Sequence, residues 1–428
     1  MVMPRKARQI VVQYMTPFTN VPIQSMQQAL KRLLETPPAQ VATAYARSAD
    51  ERTLDDQAEL SRIPAPPFAE EERAQRMAEL MANAGLEKVR SDEIGNVLAD
   101  LPGSRGSAPL VLSAHLDTVF PCEVDVTVSR EGALLRGPGI SDDARGLAVL
   151  LAVARCIREG GIRCNTPVLF AATVGEEGLG DLRGVKHLFH EGECRRAAGF
   201  ISVDGAGLER LVVRALGSRR FRITARGPGG HSWIDWGLIN PIHALGRTIS
   251  RLTQLDLSED PTTTLTVARW GGGTSINSIP QDAWIEIDTR SESDDHLEDL
   301  EQRIRDEIRS TCATADGTGG PLDMTVDVLG HRPGGQTPFE APLLRAAVTA
   351  TRHLGAEPFL TASSTDANVP MSLGIPAVTV GGGGEAGQAH TTEEWYRNVR
   401  GVEGVQRALY ILLLAAGVSS GSGATIDD

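Results

Sequence analysis

Three continuous apolar runs, each ending in polar residues, constrain the fold of this chain most strongly. They are APLVLSAHLDTV (residues 108–119), TPVLFAATVGEEG (166–178) and AAGFISVDG (197–205). A run that is apolar on both faces predicts a strand in the middle of a sheet, covered by helices on each side. The segment GLAVLLAVARCIREGG (146–161) has the leucine spacing of such a helix. We therefore predict an α/β domain with a doubly wound, mostly parallel sheet, whose ligands bind at the carboxyl ends of the strands.

The pattern changes after about Val212. The segment RFRITARG (220–227) alternates between polar and apolar residues, as a half-exposed antiparallel strand does. A helix, two strands, a helix and a strand are then predicted, in that order, at 240–252, 262–270, 282–290, 294–308 and 322–329. The order β-α-β-β-α-β is that of a ferredoxin-like α+β domain. We therefore predict that such a domain, residues 213–330, is inserted into a catalytic domain of residues 46–212 and 331–417.

The two ends of the chain and its composition exclude several functions. Residues 1–45 carry no usable motif and are predicted as an extension of uncertain structure, and the Gly/Ser-rich residues 418–428 as a disordered tail. The 55 acidic residues outnumber the 42 basic ones, and the net charge of −13 would repel nucleic acids and anionic membranes. The five cysteines form no C-x-x-C pair, and no segment has the length of a signal peptide or membrane span. We predict a cytoplasmic protein with neither nucleic acid nor membrane partners.

Titratable residues collect where the predicted strands end and the first helix begins. They are His115, Asp117, Asp142, Asp143, Glu176, Glu177, Asp204 and His390. Singly, each is typical of a solvated strand end, or of a helix N-terminus, where a carboxylate complements the helix dipole. Together on one rim, the carboxylates would repel one another, and divalent cations would relieve that repulsion. Carboxylate and imidazole ligands without thiolates favour zinc, cobalt or manganese, and two ions about 3.5–4 Å apart can share a carboxylate.

At these residues the sequence resembles a known family. The motifs are H-x-D after a strand, G-P-G-x-x-D-D before a helix, G-E-E-G, V-D-G and a late H-T, all in order. They are the marks of the co-catalytic di-zinc metallopeptidases, a family that includes peptidase T, carboxypeptidase G, aminoacylase and succinyl-diaminopimelate desuccinylase. The resemblance extends from about residue 50 to residue 415, and it identifies the inserted domain with the family's lid or dimerisation domain.

The resemblance implies a role for each residue of the metal site. His115 and Asp204 hold one metal ion, Glu177 and His390 hold the other, and Asp142 bridges both, with a cis peptide bond after it. Two further carboxylates complete the site: Asp117 orients the His115 imidazole, and Glu176 is the general base that activates water. Two divalent ions per subunit, most simply zinc, are the implied cofactors.

The resemblance also implies substrate-binding residues in the inserted domain. GPGGHS contains His231, GGGTSINSIP contains Asn277, and IDTR contains Arg290. In such enzymes the histidine stabilises the tetrahedral oxyanion across a homodimer interface, so a homodimer through the inserted domain is predicted. Without the resemblance, His231 would be interpreted as a loop residue and Arg290 as a surface charge.

Several functional hypotheses stay open at the level of sequence. Asp204, DDARG and EEGLGDLRG are closest to peptidase T, and they favour an aminopeptidase or dipeptidase acting on short peptides. The alternative is an amidohydrolase that removes acyl or carbamoyl groups from amino acids. An inactive binding protein on the same fold would be expected to lack the base or a ligand, and none is missing.

A nucleotide-binding function is disfavoured, because the Gly381–Gly384 run lacks the Lys-Ser/Thr of a phosphate-binding loop. One departure is Ala144-Arg145, where many relatives have lysine after the aspartate pair.

Overall fold

The structure is a computed structural model that describes residues 24–315 and 320–419. The helices are α1 (Gln24–Glu35), α2 (Pro37–Ser48), α3 (Asp50–Ser61), α4 (Glu71–Asn83), α5 (Ala144–Gly160), α6 (Arg183–His190), α7 (Pro241–Leu252), α8 (Asp294–Ala315), α9 (Pro342–His353), α10 (Asn368–Ser372) and α11 (Gly401–Ala416). The strands are β1 (Glu87–Ser91), β2 (Val97–Leu101), β3 (Leu110–His115), β4 (Ser129–Glu131), β5 (Leu134–Arg136), β6 (Val168–Thr173), β7 (Gly199–Val203), β8 (Arg210–Ala215), β9 (Gly217–Arg226), β10 (Gly230–His231), β11 (Thr263–Gly272), β12 (Ser278–Ile279), β13 (Asp282–Ser291), β14 (Asp323–Arg332), β15 (Gly335–Gln336), β16 (Phe359–Ser363), β17 (Ala377–Val380), β18 (Glu385–Gly387) and β19 (Trp395–Arg397).

The described chain divides into two compact units. The larger unit comprises residues up to Ala215 and from Gln336 onward, and the smaller unit is Leu216–Gly335. The sequence pattern placed the start of the insertion at residue 213, within β8. That strand still pairs with β17 in the sheet of the larger unit, so the smaller unit begins only after it.

The main sheet of the larger unit is mixed, with strand order β1-β2-β6-β3-β7-β17-β8, and β16 pairs in parallel with β8. The central strands β6, β3, β7 and β17 are parallel, whereas β2 and β8 run antiparallel to their neighbours β6 and β17. Apolar clusters cover both faces, because alternate residues of a strand point to opposite sides. Leu112 of β3 packs into the cluster that contains α5, and Val111 into the cluster that contains α6. The predicted α/β class is confirmed.

Helix α5 shows why this sequence needs helices on both faces of the sheet. Every residue from Ala144 to Ile157 is buried, in contact with the sheet on one side and with α2, α3 and α11 on others. Part of the predicted N-terminal extension also belongs to this core, since Leu30 of α1 and Ala42 of α2 are buried. Residues 1–23 and the predicted tail from residue 420 onward lie outside the described residues.

The smaller unit has the element order β9-α7-β11-β13-α8-β14, apart from the two short strands β10 and β12. Its four long strands form an antiparallel sheet of order β11-β13-β9-β14. Ile223 and Ile285 from this sheet pack with Leu245 of α7 and Leu300 of α8 in one apolar cluster. Among the described residues of the whole chain, no helix combines the length and the apolarity needed to cross a bilayer.

Candidate active site

The parallel strands of the main sheet bring the predicted site residues to one edge. His115 is the last residue of β3 and lies opposite Thr173, the last residue of β6. Asp204 directly follows β7, and its N–H donates to the carbonyl oxygen of Val380 at the end of β17 (2.9 Å). Parallel strands that end together place the residues following them on a common rim, which is where ligands bind in sheets of this type.

The loop that leads into α5 carries the adjacent residues Asp142 and Asp143. The peptide bond between them is cis, as the resemblance implied. The Asp143 carboxylate is fully buried and accepts hydrogen bonds from the N–H groups of Gly146 (3.0 Å), Gly205 (3.1 Å) and His115 (3.1 Å). Asp143 therefore caps α5 and also ties the helix start to the ends of β3 and β7. Gly146 allows this approach, because a Cβ there would lie 2.4 Å from the Asp143 carboxylate oxygens.

The Asp142 carboxylate lies between two imidazoles. Its Oδ1 is 3.0 Å from His115 Nε2, and its Oδ2 is 3.1 Å from His390 Nε2. His390 Nε2 is also 3.0 Å from Glu177 Oε1. Three clusters, each with ligand atoms within 4.8 Å of one another, are His115–Asp142–Asp204, His115–Glu176–Glu177 and Asp142–Glu177–His390. Asp142 and Glu177 therefore each have ligand atoms close to both His115 and His390.

The hydrogen bonding of His115 indicates that this site fits a cation. Its Nδ1 lies 3.0 Å from the backbone carbonyl oxygen of Asp117, which can only accept, so Nδ1 carries the proton. In the neutral imidazole, Nε2 then presents a lone pair to Asp142 Oδ1, which is also an acceptor. A proton or a metal ion must lie between two such acceptors. Ligands about 2.0–2.1 Å from a tetrahedral zinc ion would be about 3.3 Å apart, close to the spacing observed.

The pKa shifts of the carboxyl and imidazole groups also indicate that the site favours positive charge. Burial raises the pKa of the Asp143 carboxyl well above its ordinary value, and the neighbouring Asp204 and Asp142 charges add to the rise. Burial and Asp142 likewise raise the pKa of Asp204. Hydrogen bonds to Asp142 and Glu177 raise the pKa of His390 to about 10. The site therefore attracts cations, whether protons or metal ions.

Asp117 contacts His115 mainly through its backbone. The carbonyl oxygen is 3.0 Å from His115 Nδ1, whereas the nearest carboxylate oxygen is 3.7 Å away. The buried carboxylate instead accepts the N–H groups of Glu176 (2.9 Å) and Glu177 (2.7 Å). Asp117 thereby holds the turn that carries both glutamates, while its carbonyl holds the imidazole.

Glu394 is a residue of this site that the sequence pattern did not identify. It is completely buried, and Oε1 accepts the Ser141 N–H (2.8 Å), the Ser141 hydroxyl (2.7 Å) and the Asp142 N–H (3.1 Å). Its Oε2 accepts the Gly139 N–H (3.0 Å). The carboxylate thus holds the whole loop that presents Asp142. Its proximity in sequence to His390, in HTTEE, was the only available signal.

Arg145 shows what replaces the lysine expected in many relatives. The guanidinium is fully buried and donates to the carbonyl oxygens of Gly382 (2.9 Å) and Gly401 (2.7 Å). It also lies over the Tyr396 ring, 5.0 Å from the ring centre. Arg145 therefore anchors the Gly381–Gly384 loop beside the rim.

The predicted substrate residues lie in the smaller unit. Strands β10 and β12 are antiparallel, with His231 opposite Ser278, so the segments that carry His231 and Asn277 are neighbours. Arg290 lies on β13, where its Nε donates to Asp288 Oδ2 at 2.8 Å. The role of these three residues in substrate binding stays a prediction.

Residues 111–415 match the model of peptidase family M20/M25/M40. The chain belongs to this family. It is 28% identical over 279 residues to the succinyl-diaminopimelate desuccinylase of Corynebacterium glutamicum, a match that covers 58% of this chain and 74% of that enzyme. Its fold is similar to that of aminopeptidase PepT from Bacillus cereus (TM-score 0.67, 24% identity, 86% of this chain and 97% of that one). It is also similar to YXEP of Bacillus subtilis, a dinuclear metal-binding M20 peptidase (TM-score 0.62, 18% identity, 86% and 99% coverage). The predicted family, and with it the prediction of a metal-dependent hydrolase, is confirmed.

Proposed function

We propose that this M20 protein hydrolyses amide bonds of short peptides, as an aminopeptidase or dipeptidase that uses two divalent metal ions. The observation that carries the proposal is the Asp142 carboxylate between the His115 and His390 imidazoles, at 3.0 and 3.1 Å. The paired acceptors at His115 and the surrounding acidic residues supply the reason for binding cations there.

We assign the metal-binding side chains the roles that the family resemblance implies, and the clusters His115–Asp142–Asp204 and Asp142–Glu177–His390 support this assignment. His115 and Asp204 would hold one ion, Glu177 and His390 the other, and Asp142 would bridge them. Zinc suits this set of oxygen and imidazole ligands best, and cobalt or manganese has similar preferences. When bound, the ions polarise the scissile carbonyl and lower the pKa of the attacking water.

Glu176 is the proposed general base. It is 5% exposed, and its carboxylate lies in one cluster with ligand atoms of His115 and Glu177. The bond from its N–H to Asp117 holds its backbone in place. A carboxylate held beside the attacking water can accept its proton and then deliver that proton to the leaving amine.

The backbone contacts of His231 support the role of an oxyanion donor. Its Nδ1 accepts the N–H groups of Trp233 (3.2 Å) and Ile234 (3.4 Å), so the proton of the neutral ring is assigned to Nε2. The ring is exposed, which leaves this N–H available to a ligand. A neutral donor aimed at the tetrahedral oxyanion stabilises it without a proton transfer.

We infer that the smaller unit acts as a lid and joins two subunits into a homodimer. It exposes several large apolar side chains, among them Trp233 and Trp236 (85% each) and Trp270 (72%). Apolar surface of this extent is typical of a contact surface. The edge strand β11 pairs only with β13 among the described strands, and it offers an open edge to a second copy. We place the enzyme in the cytoplasm, where short peptides are recycled and free cysteines stay reduced.

The second candidate function is hydrolysis of N-acyl or N-carbamoyl amino acids. It is supported by the 28% identity to a desuccinylase, an enzyme whose name describes removal of an acyl group. Both reactions use the same metal site and base, so the substrate decides between them. An inactive binding protein is less favoured, because the proposed base and all the proposed ligands are present.

One experiment tests the proposal and separates the two candidates. The protein is dialysed against a strong chelator, reloaded with zinc, cobalt or manganese, and given free di- and tripeptides together with N-acetyl and N-carbamoyl amino acids. Mass spectrometry of the products should show metal-dependent loss of the N-terminal residue from free peptides. Faster cleavage of the N-blocked substrates would favour the second candidate. Undiminished turnover in protein shown by elemental analysis to be metal-free would contradict both.

A further inference from the structure

Arg210 lies on the active-site rim, and its guanidinium forms neither a hydrogen bond nor an ion pair with any residue that the structure describes. We propose that Arg210 binds a carboxylate group of the substrate and makes the enzyme selective for anionic peptides or acyl amino acids. This inference rests on the proposed amide hydrolysis, and it names the class of substrate.

The sheet topology places Arg210 beside the metal site. Strand β8 is antiparallel to β17, with Leu211 opposite Val380, so β8 begins at the edge where β17 ends. Asp204 lies on the other side of Val380, to whose carbonyl it donates. Neighbouring strands are about 4.8 Å apart, which separates the backbones of Asp204 and Arg210 by about 10 Å. An extended peptide of about three residues covers this distance.

One cleft joins Arg210 to the metal ligands. It has a volume of about 620 Å³ and is lined by Asp142, Asp204 and Arg210, together with the loops that contain Gly205 and Gly384. Sites for small ligands commonly have volumes of this size. A substrate whose scissile bond lies at Asp142 and Asp204 would therefore extend past Arg210.

The guanidinium has unused hydrogen-bonding capacity. Arg210 is half-buried, and among the described residues its side chain forms neither a hydrogen bond nor an ion pair. Among the carboxylates that line the same cleft, Asp204 interacts with Arg210 through its charge alone, whereas two others have different partners. Glu209 accepts the Leu208 N–H at 3.3 Å, and Glu385 is 3.8 Å from Arg397. A partly desolvated group with five N–H donors is stabilised when a ligand supplies acceptors.

Two buried arginines add positive charge on the same side of the cleft. Arg145 donates to the Gly382 carbonyl, and Arg407 donates to the Gly381 and Leu208 carbonyls. Both are fully buried, and neither forms an ion pair among the described residues. Their charges lie behind the Gly381–Gly384 loop, that of Arg407 partly offset by Glu209, and they favour an anion on the Arg210 side of the cleft.

A carboxylate matches these features better than a neutral polar group. Guanidinium and carboxylate form two parallel N–H···O bonds, which fix orientation as well as charge. The carboxylate can belong to an acidic side chain or to the C-terminus of a short substrate. Both have the same chemistry at Arg210, and paired substrates distinguish them.

The test compares substrates that differ only in one carboxylate. The metal-loaded enzyme is given Ala-Glu and Ala-Gln, Glu-Ala and Gln-Ala, and trialanine with a free or amidated C-terminus. For at least one pair we expect kcat/KM to favour the carboxylate about 10- to 100-fold, the range of one charged hydrogen-bonded contact. Arg210→Gln should remove this preference, chiefly by raising KM for the member of the pair that carries the additional carboxylate. Arg196→Gln, at an exposed arginine of the same unit, should leave the preference unchanged.

A second measurement does not depend on turnover. Calorimetric titration of the metal-loaded proteins with glutarate should show binding at least about tenfold weaker for Arg210→Gln than for wild type and Arg196→Gln. Equal glutarate affinities, or equal discrimination within every pair by wild type and Arg210→Gln, would overturn the assignment of Arg210. Failure of the metal-loaded wild type to cleave any amide would instead contradict the proposed function, and the glutarate titration would still decide the role of Arg210.

Discussion

Substitution of Glu394 by glutamine tests whether this buried carboxylate positions the proposed bridging ligand. The change preserves the shape of the side chain and removes its negative charge. Glutamine Oε1 can still accept from Ser141 and Asp142, but its NH₂ group would face the Gly139 N–H, which now bonds to Oε2 at 3.0 Å. Two donors would then oppose each other in a buried position.

The size of the effect follows from this contact. An unsatisfied buried donor costs about 1–3 kcal/mol. The Gly139–Asp142 loop can relieve the contact by moving, and metal binding must then restore the position of Asp142 at the same cost. A cost of about 1–3 kcal/mol corresponds to a metal affinity about 5- to 150-fold weaker. Turnover at saturating metal should remain close to that of the wild type, since the hydrogen bonds that the Glu394 carboxylate accepts among the described residues all come from the Gly139–Asp142 loop.

The assay is competition for zinc against a chromophoric chelator of known affinity. Glu393→Gln is the matched control, because Glu393 is the adjacent glutamate and is exposed. Circular dichroism of each metal-free variant checks that it is folded. Equal zinc affinities of the two variants would refute the reasoning, as would a folded Glu394→Gln protein whose kcat stays low at saturating zinc.

Three further predictions concern individual residues. Glu176→Gln should keep its metal content and lose about 10²- to 10⁴-fold in turnover; loss of metal instead would exchange the roles of Glu176 and Glu177. His231→Ala should lower kcat about 10²- to 10³-fold while its metal content stays intact. If the histidine serves the partner subunit, mixing this variant with Glu176→Gln should restore part of the activity. Subunit exchange that is proven but brings no recovery would exclude that arrangement. Burial raises the pKa of Asp366 to about 6, from an ordinary value near 4, so ionisation of this group destabilises the folded state increasingly from pH 4 to pH 6. The unfolding free energy of Asp366→Asn, relative to that of the wild type, should therefore increase by up to about 3 kcal/mol between pH 4 and pH 7.5. Urea titrations of the metal-free proteins measure this difference. A difference independent of pH would show that Asp366 does not titrate in this range.

Much of the fold could be predicted from local patterns. Apolar runs such as that ending at His115 are long enough to require burial on both faces of the sheet. Because these strands pair in parallel, the residues that follow them lie on one rim, independently of the loop conformations. For this reason, the sequence alone was enough to predict that His115, Glu177 and Asp204 lie close together. The strict alternation of polar and apolar residues at 220–227 likewise predicted the antiparallel sheet of the smaller unit.

Other features depended on partners that lie far apart along the chain. Glu394 and Asp142 are separated by 252 positions, and Arg145 and Gly401 by 256. In sequence, a glutamate near a histidine and an arginine near a helix start resemble solvated surface residues. Only the tertiary structure buries Glu394 and Arg145. A buried charge is stable only with hydrogen-bond partners, and here backbone groups distant in sequence supply most of them. Arg210 differs from both, because the fold half-buries this residue and supplies no hydrogen-bond partner for its guanidinium among the described residues.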